Sequence, residues 1–408
     1  YVDKHFSWNK GTPLYALLKA NDLEDALKNS IITDAIRDAK QKIDEGGFDK
    51  FEETTNNIIK RAASLGLNVS NTTTTLDFRD LSVKEGRVSL HDKKVPFRLK
   101  GKGSKRLASF AVQLALVDDG GIMLADEIEQ GLEPDRIKQL VRTLKEDNSG
   151  QVFLTTHSRD AVVELDAVDL CVIHKDSEPF KMDYQFLIFS PDKLKGVVRA
   201  CPEAFFVKKV IVCEGATEVG ICRALDHWRK RNEKTVMSFE DCAYVDGSGS
   251  NLFDRADEIK QAGFDVAILC DSDRREDTEK KEELKQKNIK FFDCEDLNCI
   301  EHQILSDLPW GGVRELLDYV LVIHKGNNET ALSESVKLKF PDPNDFPQEW
   351  KATDSPNIRA AIAEAALVDK KEWFKRIDHG EKLGEIIFKY FSEIDESKHL
   401  KKMLNALS

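Results

Sequence analysis

Two pairs of carboxylates stand where apolar runs end. Val210, Ile211, Val212 and Cys213 lead into Glu214, then Gly215 for a tight turn, and a second glutamate, Glu218, in the first turn of a predicted helix. Val266 to Cys270 is likewise apolar and ends in Asp271, Ser272 and Asp273. If both runs are parallel strands, Glu214 and Glu218 reach the C-terminal edge of the sheet, where open α/β folds bind ligands. Alternate residues of an extended stretch point the same way, so Asp271 and Asp273 are expected to face one ion. Oxygen ligands in this number suit Mg²⁺ or Mn²⁺ rather than zinc. Two such ions, ~4 Å apart, activate water and stabilise the leaving oxygen of a phosphodiester. Either cluster alone could merely cap a strand, but two on separate strands of one α/β series favour the metal.

A second constellation lies upstream. Gly120 to Ala125 reads as a buried strand ending in Asp126 and Glu127, the pattern a Walker B motif uses to hold Mg²⁺ and orient an attacking water. Gly131 to Asp135 follows at the position of a D-loop, and Thr155, Thr156, His157 and Ser158 follow the next strand as an H-loop does. Upstream, Gly101, Lys102, Gly103 and Ser104 open a helix whose backbone N–H groups could meet a phosphate. These elements resemble the signature-bearing half of an ABC-type ATPase head of the kind found in DNA-repair and SMC-like proteins. The resemblance implies nucleotide-facing roles for Asp126, Glu127, His157, Gly101 and Gly103. No G-x-x-x-x-G-K-[ST] occurs, so the loop that cradles the β- and γ-phosphates is absent from this sequence. ATP is therefore an expected cofactor only if an N-terminal lobe carrying that loop exists. The chain opens at Tyr1 in sequence that reads as the inside of a domain, so either such a lobe precedes it or the ATPase is a relic.

The elements that must position these residues follow from periodicity. Residues 13–65 show helical spacing, broken at Gly46-Gly47, and residues 73–100 alternate like a hairpin around Glu85-Gly86. Helices near 104–116 and 134–144 then alternate with strands at 121–125 and 151–155. A second α/β series has strands at 210–212, 242–245, 265–270 and 288–292 between helices near 217–230, 253–262 and 276–287. Parallel sheets are the natural inference. Beyond Pro309 the pattern is helical, with a proline-rich loop at 341–347 and amphipathic helices near 356–367 and 380–407. The expected organisation is a helical region over 1–72 that could dimerise, the ATPase half over 73–190, a linker over 191–206, a Rossmann-like domain over 207–308, and a helical C-terminal part over 309–408.

The 408 residues exceed what one core usually serves, and a composition 41% apolar and 33% charged is that of a folded protein. No apolar stretch approaches the ~20 residues of a membrane helix, so no membrane association is expected. The eight cysteines lack the paired spacing of a zinc site and are read as reduced thiols of a cytoplasmic protein. Residues 1–200 carry 32 acidic and 30 basic groups, residues 201–408 carry 41 and 31. So acidic a half argues against a broad nucleic-acid surface, yet a carboxylate metal site is itself acidic until its cations bind.

Glu214-Gly215 followed by Asp271-x-Asp273 resembles the Toprim domain shared by topoisomerases, primases and some nucleases. Glu203 to Val210, running into that glutamate behind an ABC-like half, is similar to the OLD (overcoming lysogenisation defect) family of nucleases, which includes the Gabija-type anti-phage enzymes. The match covers roughly residues 75–305. It implies a partial ABC head followed by a Toprim domain, and a DNA endonuclease acting in anti-phage defence. It further implies Glu218 and Glu301 as additional ligands, and a glycine-rich loop over Asp246 to Ser250 that brings Ser248 near the DNA. A late catalytic lysine is matched by Lys375, with Lys382 as the alternative. Arg274 and Arg275, directly after the aspartates, could clamp the substrate backbone. The expected partners are DNA, a second copy of the chain in a homodimer or higher assembly, and a defence-system protein such as a helicase or reverse transcriptase. A different class of function is a non-catalytic DNA-binding recombination or repair scaffold with an unused Toprim fold. Topoisomerase and primase readings lack a recognisable DNA-cleaving tyrosine domain and a primase zinc module.

Overall fold

The computed structural model describes residues 11–20, 52–67, 72–77, 87–117, 121–146, 150–175, 182–186, 191–273, 277–295, 297–323, 328–368 and 372–407. Contacts divide the chain into two units, Tyr1–Asp166 and Ala167–Ser408.

In the first unit, helices α1 (Pro13–Ala20) and α2 (Glu52–Ser64) precede an antiparallel hairpin of β1 (Thr72–Asp77) and β2 (Arg87–Asp92), with a short β3 (Val95–Pro96) beside it. The expected hairpin is thus present, while the Gly46-Gly47 break lies outside the described residues. Helix α3 (Lys102–Leu116), β4 (Ile122–Ala125), α4 (Pro134–Glu146) and β5 (Gln151–Leu154) follow, and the two strands pair in parallel. Leu107, Phe110, Ala111 and Leu114 of α3 share a core with Met123, Ala125, Ile137, Leu140 and Leu144. One face of this strand pair is covered, and on the other Ile122, Leu124 and Phe153 are 63%, 74% and 60% exposed among the described residues.

The short helix α5 (Arg159–Val162) closes the first unit, and the second carries an antiparallel hairpin of β6 (Cys171–Lys175) and β7 (Met182–Phe186). The stretch 191–206, expected as a linker, is instead helix α6 (Pro191–Ala200) and a 3-10 turn over Pro202–Phe206. The correction has a simple cause: Val197, Cys201 and Ala204 are apolar at helical spacing and bury against Val210, Val212 and Phe264.

Four strands, β8 (Lys209–Cys213), β9 (Cys242–Asp246), β10 (Asp265–Cys270) and β11 (Lys290–Asp293), form one sheet in the order β11-β10-β8-β9, every pair parallel. They alternate with α7 (Ala216–Arg231), α8 (Leu252–Gln261) and α9 (Thr278–Gln286). Both faces are covered, which is why the strands read as continuous apolar runs. Val210, Val212, Val266, Ile268 and Cys270 pack on α8 and Leu284, whereas Ile211, Cys213 and Leu269 face the larger helical core. That core is built by α7 with α10 (Ile300–Asp307), α11 (Trp310–Ile323), α12 (Glu329–Lys337), α13 (Pro356–Ala366), α14 (Ile377–Lys389) and α15 (His399–Leu407). The helix expected over 380–407 is two helices, with a 3-10 turn at Phe391–Glu393 between them.

Candidate functional site

The chain leaves β8 for β9 on one side, then crosses back to β10 on the other. The order of the sheet therefore reverses between β8 and β10, and the crevice beyond their C-terminal ends is where doubly wound sheets place ligands. Leu269 is in register with Cys213, so Glu214 and Asp271 emerge there as neighbours. The Glu214 N–H donates to the Leu269 carbonyl at 2.9 Å, and Glu214 Oε2 accepts the Asp271 N–H at 2.9 Å.

Two more carboxylates reach this crevice on helix N-termini. Glu218, in the first turn of α7, is 4% exposed and its Oε2 accepts the Gly215 N–H at 2.9 Å. Glu301, in the first turn of α10, is 2% exposed, and its Oε2 is buried with no hydrogen-bond partner. Asp271 reaches that helix too, Oδ1 accepting the Ile300 N–H at 2.7 Å. Lys375 Nζ lies 3.7 Å from Glu301 Oε1.

Crowding shows in the protonation equilibria. Burial, then the charges of Glu218, Glu214 and Glu301, push Asp271 up to about 8 despite the bond from Ile300. Burial, then Glu301 and Glu214, push Glu218 up to about 7, against the pull of Lys375. For Lys375 burial opposes the charge, yet Glu301, Glu218 and Asp271 together raise its pKa. Unfolded Asp and Glu titrate near ~4. Because both folded values are raised, the stability contributed by the protonated acids is fully present below ~pH 4 and is lost as pH rises through about 7 to 8. Metal-free protein is expected to melt progressively lower from pH 5 to pH 8.5, and a Glu218→Gln/Asp271→Asn variant to lose less over that range. Parallel melting curves for the two proteins would contradict this.

Could the cluster hold a divalent cation? The donors are all carboxylate oxygens, which suits Mg²⁺ or Mn²⁺, and the unpartnered Glu301 Oε2 is a buried acceptor awaiting a positive group. Among the described residues, however, no three His, Cys, Asp or Glu side chains are grouped so as to hold a metal ion. Glu214, Glu218, Asp271, Asp273 and Glu301 are thus not preassembled as one ligand group in this resting arrangement. Backbone N–H groups engage one oxygen each of Glu214, Glu218 and Asp271, which leaves the other oxygen of each for an entering ion. The donor chemistry fits; the resting geometry is not yet that of a bound site.

Asp273 differs from the other four. It is exposed, and the acids acting on Asp271 are Glu218, Glu214 and Glu301. The strand ends at Cys270, and Ser272 turns away to bond with residues 297–298: its N–H donates to the Asn298 carbonyl at 2.9 Å and its carbonyl accepts the Leu297 N–H at 3.0 Å. The two-residue alternation of an extended strand no longer applies beyond that point.

The glycine-rich loop acts as a lock on β8 and β9. Gly247 N–H donates to the Cys213 carbonyl at 2.7 Å, Ser248 N–H to Asp246 Oδ1 at 2.7 Å, and Gly249 N–H to the Glu214 carbonyl at 2.8 Å. These bonds occupy the N–H groups a phosphate would need. Ser248, expected near DNA, is left-handed (φ 57°), and its Oγ accepts from Arg255 at 2.7 Å. Arg274 and Arg275 lie outside the described residues. Lys382 donates to Glu385 on its own helix at 2.9 Å, leaving Lys375 as the lysine at Glu301.

Lys281 escaped the sequence reading. It looks like one more charge on the polar helix α9, yet it is 9% exposed. Its ammonium donates to the Asp271 carbonyl at 2.9 Å, Ser272 Oγ at 3.1 Å and Asp293 Oδ2 at 3.3 Å. It thereby ties the ends of β10 and β11 and fixes the peptide carrying Asp271. Thr217 was missed as well; its hydroxyl donates to the Phe374 carbonyl at 3.0 Å, pinning the segment before Lys375 to the start of α7.

In the first unit Asp126, Glu127 and His157 are exposed beyond the ends of β4 and β5. Thr155 Oγ1 donates to Asp126 Oδ1 and accepts the Glu127 N–H at 2.9 Å, while Arg106 donates to the Asp126 and Glu127 carbonyls. Glu129 accepts from Thr156 Oγ1 at 2.7 Å and from the His157 N–H at 2.8 Å. Gly101 is the N-cap of α3, and Gly103 lies so close to the Gly131 carbonyl that a Cβ would stand 2.8 Å from it. The signature-like and D-loop-like segments are thus packed together.

Residues 5–164 match the profile of a family described as an AAA domain, putative AbiEii toxin, type IV TA system. That stretch carries an ATPase-like domain, and it ends before the acidic crevice. The chain is also similar to the crystal structure of the SmcHead bound to the C-winged helix domain of ScpA, at 18% identity and a TM-score of 0.26. The similarity covers 36% of this chain and 46% of that one, so the chain spans under half the length of that structure. No curated protein matches. Among the described residues no helix is long and apolar enough to cross a membrane.

Proposed function

We propose that the second unit is a metal-dependent DNA endonuclease of the Toprim type, coupled to the ATPase-like first unit and acting in anti-phage defence. The observation that carries this is a buried carboxylate with an unpartnered oxygen, Glu301, beside Glu218 and Asp271 at the reversal point of a parallel sheet. Crowding these buried acids around a single half-exposed lysine is a cost in stability that a bound cation would offset. Glu214, Glu218, Asp271 and Glu301 would hold Mg²⁺ or Mn²⁺, and exposed Asp273 would take a second ion on the substrate side. When bound, such ions lower the pKa of water and neutralise charge on a phosphodiester. Lys375 stabilises negative charge developing on the phosphate. Without an ion Glu218 titrates at about 7, so loading the site near neutrality displaces a proton from it. The toxin description of the family matched by residues 5–164 supports a defence setting.

The test is incubation of supercoiled and linear DNA with the protein in Mg²⁺, Mn²⁺ or EDTA, with and without ATP. Cleavage is expected with either metal, none in EDTA, and no response to ATP for residues 1–408, which lack a phosphate loop. Asp126, Glu127 and His157 would serve ATP only in an assembly that supplies that loop, with heads paired in a homodimer or larger oligomer. The second reading is a DNA-binding repair scaffold, for which the observation is that no ligand group is preassembled among the described residues. DNA binding without cleavage in any metal would establish it instead.

A further inference from the structure

We propose that Lys375 is the resident counter-cation of the acidic crevice, and that a divalent ion binds there by displacing its ammonium group. This rests on reading the crevice as a metal site and concerns how that site is kept until an ion arrives.

The Glu301 side chain is 1% exposed, one oxygen unpartnered and the other facing Lys375 at 3.7 Å. That separation is an ion pair without a direct hydrogen bond, so the ammonium is held by the field of the acids rather than by a directional contact. Its side chain is half exposed, which leaves a path back to water. The backbone beneath it is fixed: Trp373 and Phe374 are 5% and 2% exposed, and the Phe374 carbonyl accepts the Thr217 hydroxyl. Exchange therefore needs only the flexible lysine stem to swing, with no movement of the segment. A divalent ion answers the same negative charge with twice the positive charge and can be ligated directly by oxygens that Lys375 does not reach. Two cations cannot share the field without repelling, so each weakens the binding of the other. Once displaced, the ammonium is free to meet an anionic substrate, which couples metal loading to phosphate binding.

The experiment is calorimetric titration of Mn²⁺ into the chelator-treated 408-residue protein, without DNA. Lys375→Met is expected to bind Mn²⁺ about 5-fold tighter or more, the lower range of a typical coupling between sites. Lys375→Arg, which keeps the charge, and Lys337→Met, on the exposed face of α12, are expected to match the wild type. Metal-free Lys375→Met should also melt below the wild type at pH 8, and saturating Mn²⁺ should remove that deficit. Equal or weaker Mn²⁺ binding by Lys375→Met overturns the displacement. A wild type that binds no Mn²⁺ overturns the metal-site reading itself, and the proposal with it.

Discussion

Asp271→Asn is expected to lower metal-dependent DNA cleavage by about 10²-fold or more, since loss of even an outer partner of a metal ligand typically costs 10–100-fold. The substitution separates chemistry from folding. Asn keeps an oxygen for the Ile300 N–H, so the start of α10 stays capped. It removes the charge that repels Glu218, Glu214 and Glu301, the acids that burial crowds around it. The metal-free variant should therefore melt above the wild type at pH 8 while cleaving far more slowly, as expected where stability is given up for a site. Wild-type cleavage rates in a well-folded Asp271→Asn protein would sink the assignment of Asp271 to the metal.

The second large effect is expected at the crossing of α7 and α14. A Cβ on Gly220 would stand 2.3 Å from the Glu381 nitrogen, 2.4 Å from the Gly380 carbonyl carbon and 2.5 Å from the Ile377 oxygen. Gly380 is equally tight against the Thr217 oxygen, at 2.5 Å, and a Cβ on Gly384 would lie 2.5 Å from that of Ala224. These obstacles are mostly backbone, so a rotamer change cannot relieve them and one helix must move off the other. Overpacking of this kind costs about 1–3 kcal/mol or more, and each kcal/mol lowers the melting temperature by roughly 2–4 °C in a unit of this size. Gly220→Ala should also slow cleavage, because α7 carries Glu218 while the segment entering α14 carries Lys375. An unchanged melting temperature and rate would show that the crossing is looser than drawn. Calorimetry and the plasmid assay read the two effects separately.

The four strands of the second unit were legible because each is buried on both faces, so Val210–Val212 and Val266–Leu269 stand out as unbroken apolar runs. Glu214-Gly215 and the helix bearing Glu218 were legible for a related reason: a strand end, a turn and a helix start are contiguous in the chain. The direction of Asp273 could not be read from period-two alternation, which holds only while the strand lasts, and Ser272 leaves it to bond with residues 297–298. The stretch 191–206 was misjudged because prolines and charges outweighed the spaced valines that bury it.

The α/β order, the ATPase-like motifs and the acids that close two strands are written in the sequence, because neighbours a few residues apart set them all. Only the tertiary structure decided which acids share one field. Glu301 at the start of α10 and Lys375 in the segment entering α14 meet although they are distant in the chain, Lys281 turns from a surface charge into a buried tie, and the pKa values of Asp271 and Glu218 rise toward neutrality. The reason is that burial and Coulomb energy depend on distances through space and on exclusion of water, and neither exists until the helices have closed over the edge of the sheet.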